Sequence, residues 1–270
     1  MKFDPSFRQQ VCPQILPLLD RFEEIEATLA TLNADTILWQ PPEALPDLLD
    51  HYLDALFRIY IHKFHVLCQS LIQALNAGNF LIYGLIGRSL IEHTAILRYY
   101  VTNKMLPLAQ AAAADGEISE AELEELIHWL NRHLTGQRFD WDVFLADYFA
   151  QLEQPRTRHA LRESQVNVIT CLEKWIQERA AIAQLYELFC DLVHPNLGSN
   201  LLISRLVEDQ IGIGGSLGEP IGLEIMNRTF ADLVALFEEV RDQLLQLKSL
   251  KFSEIISLAA NAENSNSISL

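Results

Sequence analysis

The chain has 270 residues, 50% of them apolar, and a formal net charge of -16 at pH 7. That length can bury a sizeable core as one large domain, and so acidic a chain repels phosphate, which argues against non-specific nucleic-acid binding through a broad basic face. Cys12, Cys68, Cys171 and Cys190 form no CxxC pair, so neither a zinc knuckle nor a thioredoxin-type site is indicated, and the thiols read as reduced in a cytoplasmic protein.

Acidic and proline breaks in MKFDPSFRQQVCPQILPLL interrupt the apolar core an export signal requires. Ile15, Leu18, Phe22, Ile25, Leu29 and Leu32 repeat at three and four, predicting a first helix with one apolar stripe and an acidic opposite side. Pro41, Pro42 and Pro46 stop it and start the next, with Trp39 docking the connection.

A second long helix is expected from about Asp47 to Ala77, with Leu49, Leu53, Leu56, Tyr60, Phe64, Leu67 and Leu71 on one side. Its other side carries a polar stripe of His51, Asp54, Arg58, His62, His65 and Gln69. Gly78 and Asn79 supply a corner that tolerates left-handed backbone and turns the chain into an antiparallel αα-hairpin. The returning helix, NFLIYGLIGRSLIEHTAILRYYV from Asn79 to Val101, is apolar nearly all round, as a buried helix is.

Arg88, Glu92, His93 and Arg98 interrupt that helix. At about 2.5 to 3.5 kcal/mol per central charge, they argue against a membrane span. Leu81, Leu85, Arg88, Glu92, Ala95 and Tyr99 share one stripe, which places an inward-facing Arg88–Glu92 pair on a seam of uncharged side chains. Gly84 and Gly87 each cost about 1 kcal/mol relative to alanine, for which close approach of a neighbouring backbone would compensate.

ADGEIS looks like the second half of an EF-hand loop around Gly116, but Ala111 and Ala113 stand where ligands belong, so calcium binding is not expected. Ser119 with Glu122 fits a capping box that launches a helix over 120–134. Residues 140–152 read as a short aromatic helix, and Arg156, Arg158, His159 and Arg162 form a basic patch that reads as a solvated turn, with a phosphate contact as the functional alternative. Helical patterning resumes from Val168 to Val193, broken near Glu178 to Ala181 and terminated by Pro195. A two-stranded hairpin is expected between Asn200 and Gly218, around Glu208-Asp209. Glu219-Pro220 then opens a last long helix with Met226, Phe230, Leu233, Phe237, Val240, Leu244 and Leu247 along one face.

The fold class is therefore all-α: an antiparallel helical bundle with a small β-hairpin inserted before the last long helix. Residues 1–46 form an N-terminal helix and proline-rich connection, 47–258 the bundle, and 259–270 a disordered tail.

Chemistry-bearing residues cluster in three places: Arg88 with Glu92, His194 with Asp191 at a helix C-terminus, and the histidine stripe containing His62. His194 suits helix capping or acid-base work. Glu125 and His128 have the ExxH spacing of di-iron bundles, but only one ExxH is present, so no metal site and no cofactor are expected.

A helix bearing RSLIEH, followed about a hundred residues later by one ending in DLVHPN, is similar to uncharacterised bacterial members of the HEPN superfamily of small helical bundles. The resemblance covers roughly residues 47–250 and implies a HEPN-like bundle. Active members are metal-independent ribonucleases with an arginine, a polar residue and a histidine four to six positions on, a spacing that Arg88, Ser89 and His93 meet. Residues five apart on a continuous helix are separated by about 140° around its axis, so Arg88 and Glu92 facing His194 is the more credible catalytic set. The functional expectation is an intracellular binding or regulatory module whose Arg88–Glu92–His194 cluster takes a small polar or anionic ligand, with Asp191, Asn196 and His62 as further ligand-binding residues. The alternative is an endoribonuclease of toxin or defence type, with RNA as substrate and His194 as acid or base. No membrane partner is expected, and a homodimer is the assembly such a cleft suggests.

Overall fold

A computed structural model describes residues 1–33, 45–115, 118–136, 166–207, 210–214 and 216–252. The chain forms helices α1 (Pro5–Arg8), α2 (Leu16–Leu32), α3 (Leu45–Asn76), α4 (Phe80–Tyr100), α5 (Leu106–Asp115), α6 (Glu120–Thr135), α7 (Val168–Glu178), α8 (Ala181–Val193) and α9 (Leu197–Leu201), strands β1 (Ser204–Val207) and β2 (Gln210–Ile213), then α10 (Glu219–Ser249). It is an all-α bundle whose small antiparallel hairpin, with Ser204 opposite Ile213 and Val207 opposite Gln210, precedes the last long helix. Trp39 and its prolines Pro41 and Pro42, Gly116, the aromatic segment 140–152, the basic patch of Arg156, Arg158, His159 and Arg162, Glu208-Asp209 and the tail 259–270 lie outside the described residues.

Two compact units are present. The first comprises Met1–Gln40, Phe57–Asn103 and Ile169–Leu250, and the second Pro41–Leu56, Lys104–Val168 and Lys251–Leu270.

In the first unit α4 lies between α8 and α10. Gly78 takes φ +65° and Asn79 caps α4, its side-chain oxygen accepting from Ile82 N at 3.2 Å. This corner sends α4 back along α3, so that Phe64 and His93, about a dozen residues either side of it, meet at 6.4 Å between rings. On another face the buried Tyr83 hydroxyl bonds Thr229 Oγ1 of α10 at 2.8 Å. Helix α2 covers α10 through Phe22, whose ring centroid lies 5.0 Å from that of Phe237 and 5.6 Å from that of Phe230. All three rings are fully buried, and each such burial stabilises by about 1.5 to 3 kcal/mol.

The α2 stripe lies where its spacing suggests at Ile15, Phe22, Ile25 and Leu29, all buried, but departs from it in part. Leu19 is fully buried where Leu18 was expected, and Glu26, one turn after Phe22, lies on the buried side. On α4, Leu81 and Leu85 are 39% and 41% exposed while Ala95 and Tyr99 are buried, so the stripe that carries Arg88 and Glu92 starts at the rim of the unit and enters the core only beyond that pair.

The α4–α8 contact explains the two mid-helix glycines. A Cβ on Gly84 would stand 3.0 Å from Leu192 Cβ, and one on Gly87 only 2.4 Å from Phe189 Cε1. The close approach is by α8 side chains, not by a neighbouring backbone as the sequence suggested. Pairing 84 with 192 and 87 with 189 also makes the two helices antiparallel.

In the second unit, Ser119 Oγ accepts from Glu122 N at 3.3 Å while the Glu122 carboxylate accepts from Ser119 N at 3.0 Å, completing the capping box of α6. Leu123, Leu126 and Leu130 bury the inner face of α6, and Lys104 and Arg132 lie over the Trp129 ring at 5.1 and 5.4 Å from its centroid.

Gly87→Ala tests the close α4–α8 contact. Helix propensity alone would make alanine more stable by about 1 kcal/mol. Collision with Phe189 reverses the sign, for a net loss of about 1 to 3 kcal/mol in denaturant unfolding. Pairing the variant with Phe189→Leu should recover part of that loss.

Candidate functional site

Residues 186, 190 and 194 are one helical turn apart and put Tyr186, Cys190 and His194 on one stripe of α8. With Gly84 and Gly87 drawing the helices together, that stripe meets Arg88 and Glu92 of α4. Arg88 Nε donates to Glu92 Oε1 at 2.9 Å, and the Tyr186 hydroxyl donates to the same oxygen at 2.9 Å. Arg88 Nη1 lies 3.4 Å from His194 Nε2. The side chains of Arg88 and Glu92 are 30% and 25% exposed, and His194 is exposed.

The structure thus brings Arg88, Glu92 and His194 together, at the rim rather than sealed inside. Sequence reasoning missed Tyr186 and Cys190, although their spacing from His194 was the available signal. The bond from Arg88 to Glu92 holds the guanidinium above its usual range. Burial, then the bonded Glu92 carboxylate and the Cys190 thiol, push the Tyr186 phenol well above its usual value, so it remains a donor. An i,i+4 pair at this exposure stabilises by about 0.5 kcal/mol, too little to account for the cluster as a structural clamp alone.

Arginine has no acceptor nitrogen, so His194 Nε2 must present its lone pair to Arg88 Nη1. His194 ends α8, its N–H bonding Cys190 O at 3.0 Å before the chain turns to extended backbone. Asn196 N then donates to His194 O at 2.7 Å, and the Asn196 Oδ1 atom is buried without a partner. Exposed Asp191 points towards α9, its Oδ2 only 2.2 Å from where a Cβ on Gly198 would stand.

His93 faces away from this cluster. Its Nδ1 donates to Ser89 O at 2.8 Å and its ring meets Phe64, while Arg88 faces α8. The pair that satisfies the arginine-to-histidine spacing therefore diverges around the helix.

His62 is engaged elsewhere. Asn33 Nδ2 reaches Nδ1 of His62 at 3.3 Å and Nδ1 of His65 at 3.1 Å, one amide hydrogen for each ring. With its Nδ1 accepting, His65 donates through Nε2 to Glu26 Oε1 at 3.2 Å. Gln69 and the Met1 amine also donate to Glu26, at 3.3 and 2.5 Å. Burial raises the Glu26 carboxyl, but these donors outweigh it and hold the group below its ordinary value. Glu26 is 4% exposed, and the three hydrogen bonds it accepts are made within the fold.

No three or more His, Cys, Asp or Glu side chains are placed to hold a metal ion among the described residues. Comparison with known proteins finds no matching family model, curated protein or solved structure.

Burial, reinforced by the charge of Lys63, lowers the affinity of His93 for a proton despite its bond to Ser89. In the unfolded chain the same imidazole protonates near its ordinary value of about 6.5. Between that value and the lowered one the unfolded state binds more protons, so stability falls as pH falls through this window. Urea unfolding from pH 8 to 5 should show a shallower loss for His93→Gln than for the wild type, with the curves parallel above about pH 7.

Proposed function

We propose that this chain is an intracellular binding module whose Arg88–Glu92–His194 cluster receives a small anionic ligand. The observation that carries this reading is the 3.4 Å approach of Arg88 Nη1 to an exposed His194. Glu92 occupies the Nε edge of the guanidinium and leaves the Nη1–Nη2 edge for an oxyanion. Tyr186 supports this arrangement by anchoring Glu92, so the guanidinium is oriented before a ligand arrives.

A metal-independent endoribonuclease is the second reading, favoured by the exposed histidine next to a half-buried arginine. In it His194 moves a proton, Arg88 stabilises charge on phosphate and Glu92 orients Arg88.

Two measurements separate the readings. If the cluster is a binding site, Arg88→Ala abolishes anion binding in calorimetry while the unfolding midpoint shifts by about 1 kcal/mol or less. Mixed RNA incubated with wild type, Arg88→Ala and His194→Ala tests the second reading: cleavage by the wild type alone supports a nuclease, and equal background from all three removes it.

A further inference from the structure

The flank of α8 turned away from the Arg88 cluster borders a second depression in the first unit. Tyr186, Cys190 and His194 share one stripe of α8, and Leu185 and Leu188 lie about 100° and 160° around the helix from Tyr186. These two half-buried leucines, with the buried Ile182 and with buried Leu236 of α10, line a cavity of about 240 Å³ whose charged walls are Arg179 and Asp232. There is room for a ligand of roughly ten non-hydrogen atoms. We infer that this cavity binds a small ω-amino acid: a slim apolar chain with an ammonium at one end and a carboxylate at the other.

Helix direction puts the two charges at opposite ends. Tyr83 of α4 bonds Thr229 and Arg98 pairs with Glu239, so α10 runs parallel to α4. Because α8 is antiparallel to α4, it is antiparallel to α10 as well. Arg179, just before α8, reaches Glu239 at 3.5 Å, which fixes one end. At the other, Tyr83 meets both Thr229 and the Phe189 ring, so Asp232, next in line after Thr229 on α10, comes level with Leu188. Asp232 precedes Glu239 by two helical turns, about 10 Å along α10.

Each end suits one charge. Asp232 is exposed and makes no hydrogen bond or ion pair among the described residues, so its carboxylate is open to an ammonium. The Arg179 side chain is 46% exposed, and the carboxylate it reaches on Glu239 already accepts from Arg98 and Gln243. Its other guanidinium N–H groups are left for a second anion. Ala180 at the N-cap of α8 makes no side-chain cap, so the positive end of that helix dipole adds to Arg179. Between the ends Ile182, Leu185, Leu188 and Leu236 would strip water from a polar linker without replacing its hydrogen bonds, which selects an apolar one.

Isothermal titration at about pH 7, where amine and carboxyl are both ionised, tests the inference with ω-aminooctanoate, octanoate and octylammonium, which share a chain and differ in their ends. ω-Aminooctanoate should bind about ten-fold tighter or more than either single-ended probe. γ-Aminobutyrate, too short to reach both charges, should bind about ten-fold more weakly than ω-aminooctanoate. Asp232→Asn should reduce the affinity for ω-aminooctanoate to that for octanoate, and Arg179→Gln to that for octylammonium, with the unfolding midpoint of the Asp232 variant unchanged. Octylammonium binding as tightly as the zwitterion overturns the inference, as does a zwitterion preference that survives in both variants. Absence of binding by every probe overturns it too, and each of these outcomes leaves the Arg88–His194 reading untouched.

Discussion

The contact on which the first unit depends is the one between α4 and α8, made possible by two absent side chains. Gly84 and Gly87 let Leu192 and Phe189 sit where Cβ atoms would otherwise stand. Together they forgo about 2 kcal/mol of helix propensity. In return α8 lies close enough for Tyr186 to reach Glu92 and for His194 to approach Arg88. Polar geometry at the rim follows from apolar packing one turn deeper, and neither feature could be moved without the other.

Much of the fold was written in residue spacing. The seven residues predicted along one face of α10, Met226, Phe230, Leu233, Phe237, Val240, Leu244 and Leu247, are all buried, the break between α7 and α8 falls at Glu178 to Ala181, and the hairpin lies between Asn200 and Gly218. Such features are local: periodicity, proline and glycine decide them within a few residues. On α2 the choice between Leu18 and Leu19 was less legible, because they are adjacent and only the position of α10 decides which is buried. Glu26 was hidden for a related reason. A carboxylate on an apolar stripe reads as an error in the stripe until Asn33, His65 and Gln69 are known to surround its neighbourhood.

The candidate site was legible in part. Arg88 and Glu92 announce themselves as neighbours by their spacing, but their depth depends on which helix covers them, and α8 covers only one flank. That is why Leu81 and Leu85 remain exposed and the pair is half-buried. Tyr186 and Cys190 went unread because each looks like core filling on a helix with many apolar residues. Only the meeting with Glu92 gives the tyrosine hydroxyl a purpose. Motif spacing links Arg88 to His93, but the angle of about 140° between them already favoured His194, 106 positions away, and packing brings Arg88 to that residue.

The segment Phe80–Ala111 has the length and apolarity of a membrane span, yet 56% of its most apolar window is buried within the protein. Its charges show how that composition suits a core. Arg98 is paired with Glu178 at 2.6 Å and with Glu239, and stacks over Trp175 at 5.4 Å from the ring centroid. Arg88 instead meets one carboxylate and one imidazole. In a chain of net charge -16 most cations have carboxylates to spare around them. A guanidinium whose second neighbour is an imidazole differs from Arg98 in this respect, and it keeps donors directed at the rim. The same apolar helix that could be taken for a span holds Arg98 as part of the packing and Arg88 as a group still able to engage something else.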